Sequence, residues 1–288
     1  MTDSTTDRVT VRIDGDGVAD VRLNRPDKLN ALDLATFRAL ADTGDALAAD
    51  ASVRAVVLSG EGRSFCAGLD FASFNAMAGE RPDGGGRSDR IGDSSSDIVA
   101  REPGRITNLG QLAVHVWREL PQPVIAAVAG HALGGGLQIA LGADIRIVAP
   151  GAKLSILEIR WGLVPDMTGT AALVRLVGDD VAKELTFTGR MVGGEEAVRL
   201  GLATRTAEDP RAAALELAGE IAGRSPDAIR AAKRLLNRAT DGPDQAGQLL
   251  AESRALAALR GSPNQVEAVR SYFEKRPPAF ADPRSQED

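Results

Sequence analysis

Two acidic residues and a run of glycines are the parts of this sequence best suited to chemistry. Glu158 and Asp166 lie eight positions apart, with Gly162 and Pro165 between them. Those two residues interrupt any helix, so both carboxyl groups can face one pocket. Gly134-Gly135-Gly136 comes after a strand-like run, Val124 to Ala129, and opens into the apolar stretch Leu137 to Leu141. A strand that turns through glycine into a helix leaves backbone N–H groups at the helix start without intrahelical acceptors. Such groups suit an oxygen on which negative charge develops. Each feature also has a plainer reading. The glycines make a tight turn, Glu158 is a helix-start charge, and Asp166 is the N-cap of a helix beginning near Thr168.

Other polar residues point to structure. His131 lies within the glycine-rich turn and His115 on an expected helix, and neither has a cluster of partners. Cys66, the single cysteine, has no histidine beside it and is expected to pack in the core. Trp117, Trp161 and Tyr272 fit core positions or pocket walls. No Cys/His group has metal-ligand spacing. The glycines around Gly135 do not follow a dinucleotide fingerprint.

Composition narrows the class further. The 288 residues are 43% hydrophobic but only 3% aromatic, which implies an aliphatic, alanine-based core. Lys and Arg number 34 against 40 Asp and Glu, and a net charge of −6 is a poor general match for nucleic acid or anionic membrane. One cysteine leaves no intramolecular disulfide and fits a reducing compartment. Residues 1–10 carry no apolar stretch, no run is long enough to span a bilayer, and the last residues are not a peroxisomal signal. The expected location is cytoplasmic.

The elements that must position these groups are legible in outline. Val9, Val11 and Ile13 alternate with polar residues, as do Val18, Val21 and Leu23. Asp14-Gly15-Asp16-Gly17 lies between them, which predicts a hairpin. Asp33 is placed to cap a helix carrying Leu34, Phe37, Leu40 and Leu47. Val53 to Leu58 reads as a buried strand, Ile106 to Leu120 as a helix, and Asp144 to Ala149 as another strand. Residues 79–97 hold Gly, Ser, Asp and Arg with almost no apolar side chain, and are expected to form a mobile loop. From about Thr168 the pattern is nearly all helix, broken at Gly178, Gly189, Pro210, Pro226, Pro243 and Pro263. Repeated mixing of strand and helix implies βαβ units and a mostly parallel sheet.

Three segments stand together: Asn24-Arg25-Pro26-Asp27-Lys28-Leu29-Asn30-Ala31-Leu32, Gly62-Arg63-Ser64-Phe65-Cys66-Ala67-Gly68-Leu69-Asp70, and the stretch from Pro123 through Gly136 to Gly169. In type, order and separation they resemble the crotonase (enoyl-CoA hydratase/isomerase) superfamily, from about residue 9 to the C-terminal region, with residues 79–105 unmatched. The resemblance implies an α/β fold with a crotonase-like ββα spiral core over residues 1–205 and a C-terminal helical trimerisation region over 206–288. It also implies a homotrimer or dimer of trimers, with no permanently bound cofactor and CoA present as part of a thioester substrate.

Carried onto this chain, the resemblance assigns the two oxyanion donors to the backbone amides of Leu69 and Gly135. Arg25 and Lys28 become candidates for the nucleotide phosphates. Ala31, Ala67, Leu69 and Asp70 fall near adenine and pantetheine, and Gly134 and Gln138 line the substrate site. The acids depart from the hydratase pattern. Hydratases carry one glutamate where this chain has Gln138 and a second where it has Glu158. A carboxamide orients water but cannot shuttle a proton near neutral pH. Asp166 stands where hydratases usually have glycine, an offset from Glu158 resembling that of dienoyl-CoA isomerases. Isomerisation by Glu158 and Asp166 is therefore slightly favoured over hydration. An acyl-CoA-binding homologue with impaired catalysis is the alternative, and RNA binding does not fit the charge.

Overall fold

The computed structural model describes residues 2–5, 8–70, 101–240, 242 and 244–283. Up to residue 100, the stretch expected to be a mobile loop lies outside the described residues. A seven-stranded sheet runs in the order β1 (Thr2–Thr5), β2 (Val9–Ile13), β3 (Val18–Leu23), β4 (Ala55–Gly60), β5 (Val124–Val128), β7 (Ile145–Val148) and β10 (Arg205–Thr206). β2 and β3 form the expected antiparallel hairpin, with Val11 opposite Val21. From β3 onward the pairing is parallel. A second sheet joins β6 (His131–Leu133), β8 (Lys153–Ser155) and β9 (Val192–Gly193).

The strands alternate between two cores, as a two-residue side-chain period demands. Val56, Leu58, Val124, Ala126 and Val128 join the larger cluster with α1 (Leu34–Ala49) and α2 (Leu109–Glu119). Ala55, Val57, Ile125, Ala127 and Ile147 face Ala214 and Ala218 of α7 (Pro210–Ala222). Small side chains on α7 let it lie close against the sheet. The element bounds differ from the sequence pattern where caps decide them. Asp33 does cap α1, its side chain accepting from the Thr36 N–H. α2 begins at Leu109 rather than Ile106, because Asn108 and Gln111 form a reciprocal capping box there.

α3 (Gly135–Leu141) packs on β6 and α6 (Gly194–Leu200) on β8 and β9, while α4 (Gly169–Val177) and α5 (Asp179–Thr188) pack on each other. α8 (Pro226–Ala239), α9 (Gln245–Leu259) and α10 (Pro263–Glu274) end the described chain. α8 is fastened by Lys233, whose buried Nζ meets the Trp117 carbonyl at 3.1 Å, that of Gln122 at 2.9 Å and Asp144 at 2.8 Å. Trp117 is a core residue as expected. Trp161 and Tyr272 are not: in the single chain they are 52% and 78% exposed. Neither sits on an inward face, because the first lies in a short 3-10 turn at the surface and the second on the outer side of α10. Among the described residues, no helix is long and apolar enough to cross a membrane.

Candidate active site

The first and second motifs are laced together by backbone hydrogen bonds. Leu32 N–H donates to the Gly68 carbonyl at 2.8 Å, Asp70 N–H to the Leu32 carbonyl at 2.9 Å, and Ala67 N–H to the Leu29 carbonyl at 3.0 Å. Asn30, buried and in the left-handed region, bonds three parts of the junction. Its Oδ1 accepts from Arg25 N–H at 2.8 Å, while its Nδ2 donates to the carbonyls of Glu61 at 2.9 Å and Ser64 at 2.7 Å. The second motif in turn pairs with the third. Cys66 N–H donates to the His131 carbonyl at 2.8 Å and Leu133 N–H to the Cys66 carbonyl at 3.0 Å.

That pairing ends just short of Leu69 and Gly135. Gly68 adopts φ +91°, and a Cβ there would meet the Leu133 carbonyl oxygen at 2.7 Å, so this close crossing requires glycine. A Cβ on Gly136 would stand 2.4 Å from the Cys66 carbonyl oxygen. Beyond the crossing, neither the Leu69 N–H nor the Gly135 N–H finds an acceptor among the described residues. Gly135 opens α3, where orphan N–H groups are expected. Both residues are partly exposed.

Glu158 stands over this turn. An ideal Cβ on Gly134 would lie 3.4 Å from Glu158 Oε1. Glu158 as a whole residue is 8% exposed; Oε1 accepts from Gln138 Nε2 at 2.6 Å, while Oε2 is buried and accepts no hydrogen bond among the described residues. Burial pushes the carboxyl above its ordinary range, its own backbone N–H and then the Gln138 contact oppose this, and the field of Asp166 adds to it. Glu158 does begin a short 3-10 turn, Glu158–Trp161, but its side chain points inward rather than serving as a surface charge.

Asp166 does not cap a helix. The N-cap position of α4 is Thr168, and no side chain caps it. The Asp166 side chain is open to solvent yet crowded by protein on its other sides, which raises its carboxyl too. Gln138, expected to line the substrate site, points into the protein. It is wholly buried, and its Oε1 accepts from the N–H groups of Met167 at 2.9 Å and Gly169 at 3.1 Å. Sequence patterns gave no sign of this clamp, because its three partners are 20 to 31 residues away.

The two basic candidates separate. Arg25 is engaged by Asp70 at 2.9 Å, Asp33 at 3.4 Å and the Ala31 carbonyl at 2.6 Å, so its guanidinium ties the loop together instead of reaching outward. Lys28 is exposed at the end of the 3-10 turn Pro26–Lys28. Ala31 and Ala67 are half-buried beside it in the laced junction. His131 Nδ1 lies 3.0 Å from Ser64 Oγ, a bond that fastens the two motifs. Cys66 is buried, and burial raises its thiol to about 12. No three His, Cys, Asp or Glu side chains are grouped to hold a metal among the described residues.

A mostly parallel sheet, a glycine-bounded crossing of two loops and a buried carboxylate beside it thus stand together on an α/β core. The family model for enoyl-CoA hydratase/isomerase matches residues 18–282, and this chain belongs to that family, with the crotonase fold. It is 34% identical over 262 residues to the short-chain-enoyl-CoA hydratase of Clostridium acetobutylicum, covering 90% of this chain and 92% of that protein. It is 31% identical to the mitochondrial methylglutaconyl-CoA hydratase of Mus musculus, over 92% of this chain and 79% of that one. Among solved structures, a putative enoyl-CoA hydratase from Streptomyces coelicolor superposes with a TM-score of 0.83 at 33% identity, covering 96% of this chain and 94% of its own. The chain is therefore an acyl-CoA enzyme of the enoyl-CoA hydratase/isomerase family.

Proposed function

We propose that the protein moves a double bond in an enoyl- or dienoyl-CoA thioester, with Glu158 as the base and the N–H groups of Leu69 and Gly135 as donors to the thioester oxygen. The observation that carries this is the state of the Glu158 carboxylate: buried, held at one oxygen, and unpartnered at the other, beside the Gly134 turn. Glu158 removes an acidic proton from the acyl chain, and the electron pair of the broken C–H bond passes to the thioester oxygen as an enolate. Preorganised N–H donors stabilise such charge by about 2.7–4 kcal/mol each. Asp166, whose raised carboxyl can carry a proton, returns one further along the chain; Glu158 then releases its proton to solvent and Asp166, open to solvent, regains one, so that the double bond shifts and no atom is gained or lost. Lys28, exposed beside the Ala31 and Asp70 junction, meets the nucleotide phosphates.

Hydration is the second reading, favoured by relatives that are themselves hydratases. Here Glu158 would activate water without a second carboxylate at Gln138. Incubating the protein with a 2-enoyl-CoA and a 3,5-dienoyl-CoA, with and without Asp166→Asn, separates the two. Isomerisation that collapses in Asp166→Asn supports the first reading, and fast hydration that survives it refutes that reading. The remaining assignments also belong here: fatty-acid metabolism in the cytoplasm, a core over residues 1–205 with a helical region after it, and assembly as trimers. The last is supported by α9, which buries no residue of its own and exposes Leu249, Leu250 and Leu256.

A further inference from the structure

We propose that Gln138 is a positioning residue that sets both acids at once, through the two ends of one carboxamide. The inference rests on the assignment of proton transfer to Glu158. Two backbone N–H groups point at one end of the amide, so that end is the oxygen, and the nitrogen necessarily faces Glu158.

At the oxygen end, the residue between the two donors is Thr168, held at φ +65° and ψ −1°. A β-branched side chain avoids this left-handed region unless its surroundings impose it. The conformation turns the N–H groups of Met167 and Gly169 toward a common point, a concave arrangement that suits an acceptor oxygen. Approach is so close that a Cβ on Gly169 would lie 2.6 Å from Gln138 Oε1. Asp166 immediately precedes Met167, so its place is set by this strained turn.

At the nitrogen end, the 2.6 Å bond occupies Glu158 Oε1. Oε2 is then the atom that accepts the proton from carbon, and the amide bond need not break as it does so. Together with the Glu158 backbone N–H, the same bond favours the anion against burial, and against the field of Asp166 whenever Asp166 is itself ionised. Among the described residues, the side chain of α3 that bonds that carboxyl is Gln138, and it does not ionise.

The test compares the pH dependence of kcat/KM for wild type, Gln138→Glu and Gln138→Leu, on whichever of the 2-enoyl-CoA and 3,5-dienoyl-CoA substrates the wild type turns over. Gln138→Glu keeps an oxygen for Met167 and Gly169 but sets a second carboxylate against Glu158, so the pair shares a proton. Its acidic limb moves up by about one pH unit or more, while KM changes little. Gln138→Leu loses kcat by roughly tenfold or more and also shifts the limb upward. Adding Thr168→Gly recovers part of that kcat without restoring the limb. A Gln138→Glu enzyme with the wild-type limb overturns the proposal, and this near-isosteric variant decides it even if Gln138→Leu fails to fold. Glu158→Gln separates the two levels. Full activity in Glu158→Gln refutes the base assignment and this inference with it. An inactive Glu158→Gln beside an unshifted Gln138→Glu refutes the inference alone.

Discussion

Gly68→Ala is the most direct probe of the crossing between the two loops, because one methyl group should cost catalysis far more than folding. Two costs arise at residue 68. The first is backbone: φ +91° is left-handed, and a non-glycine residue there loses about 1–2 kcal/mol. The second is contact: the new Cβ would stand 2.7 Å from the Leu133 carbonyl oxygen, about 0.7 Å inside ordinary contact. That carbonyl cannot simply retreat, since Leu133 N–H is bound to Cys66 and Gly134 N–H to Ser155. The chain through Leu69 must give instead, carrying its N–H by a fraction of an ångström to an ångström. A misplacement of that size costs up to about 10²-fold in rate, and outright loss of the donor about 10²–10³-fold. Gly104→Ala is the matched control, because Gly104 has φ +72° but nothing within 4 Å of its would-be Cβ. Both variants should unfold at slightly lower urea concentration than wild type, and only Gly68→Ala should lose kcat by about 10²-fold. A folded Gly68→Ala enzyme with kcat within threefold of wild type would refute the role given to the Leu69 amide.

Other groups have surroundings equally plain. Glu158 must be ionised to act, and burial raises its carboxyl, so activity should fall with decreasing pH through a point above the ordinary glutamate range; a limb at or below that range in the kcat/KM profile counts against Glu158 as base. Asp33 is pushed up by burial but brought down to about 2 by hydrogen bonds from Arg8 and Thr36 and by the field of Arg25. Its stabilisation is present above the unfolded value near 3.9 and is lost as pH falls toward 2, and Asp33→Asn, which still caps α1, should remove up to about 2 kcal/mol of that acid dependence in urea titrations. Lys233→Ala strands Asp144 and two carbonyls, and should lower unfolding free energy by roughly 3–5 kcal/mol. Cys66 should resist thiol reagents in the native protein and react once denaturant opens the core, since only the thiolate attacks and burial holds the thiol at about 12.

The fold was largely readable because its signals are local. Asp14 to Gly17 marks a turn between two alternating runs, Asp33 caps the helix that begins at Leu34, and the strand faces divide as odd and even positions. The boundaries that shifted did so for equally local reasons, as where the Asn108 and Gln111 box moves the start of α2 to Leu109. What sequence reasoning could not reach was the partnership of side chains brought together by the spiral. Arg25 and Lys28 are three residues apart and look alike on paper, yet one is spent on Asp70 and Asp33 while the other faces water. Gln138 looked like a catalytic glutamate replaced by an inert neighbour. Folded, it bonds both the Glu158 carboxylate and the turn that follows Asp166. A glutamate there would offer the same two N–H groups an oxygen, but it would meet Glu158 with a like charge in a site too buried to screen it. The amide therefore removes one proton carrier and, by the same exchange, steadies the other as an anion. On the proposed reading, Asp166 is then left as the acid that serves Glu158, and the amide between them is what keeps the pair from competing for one proton.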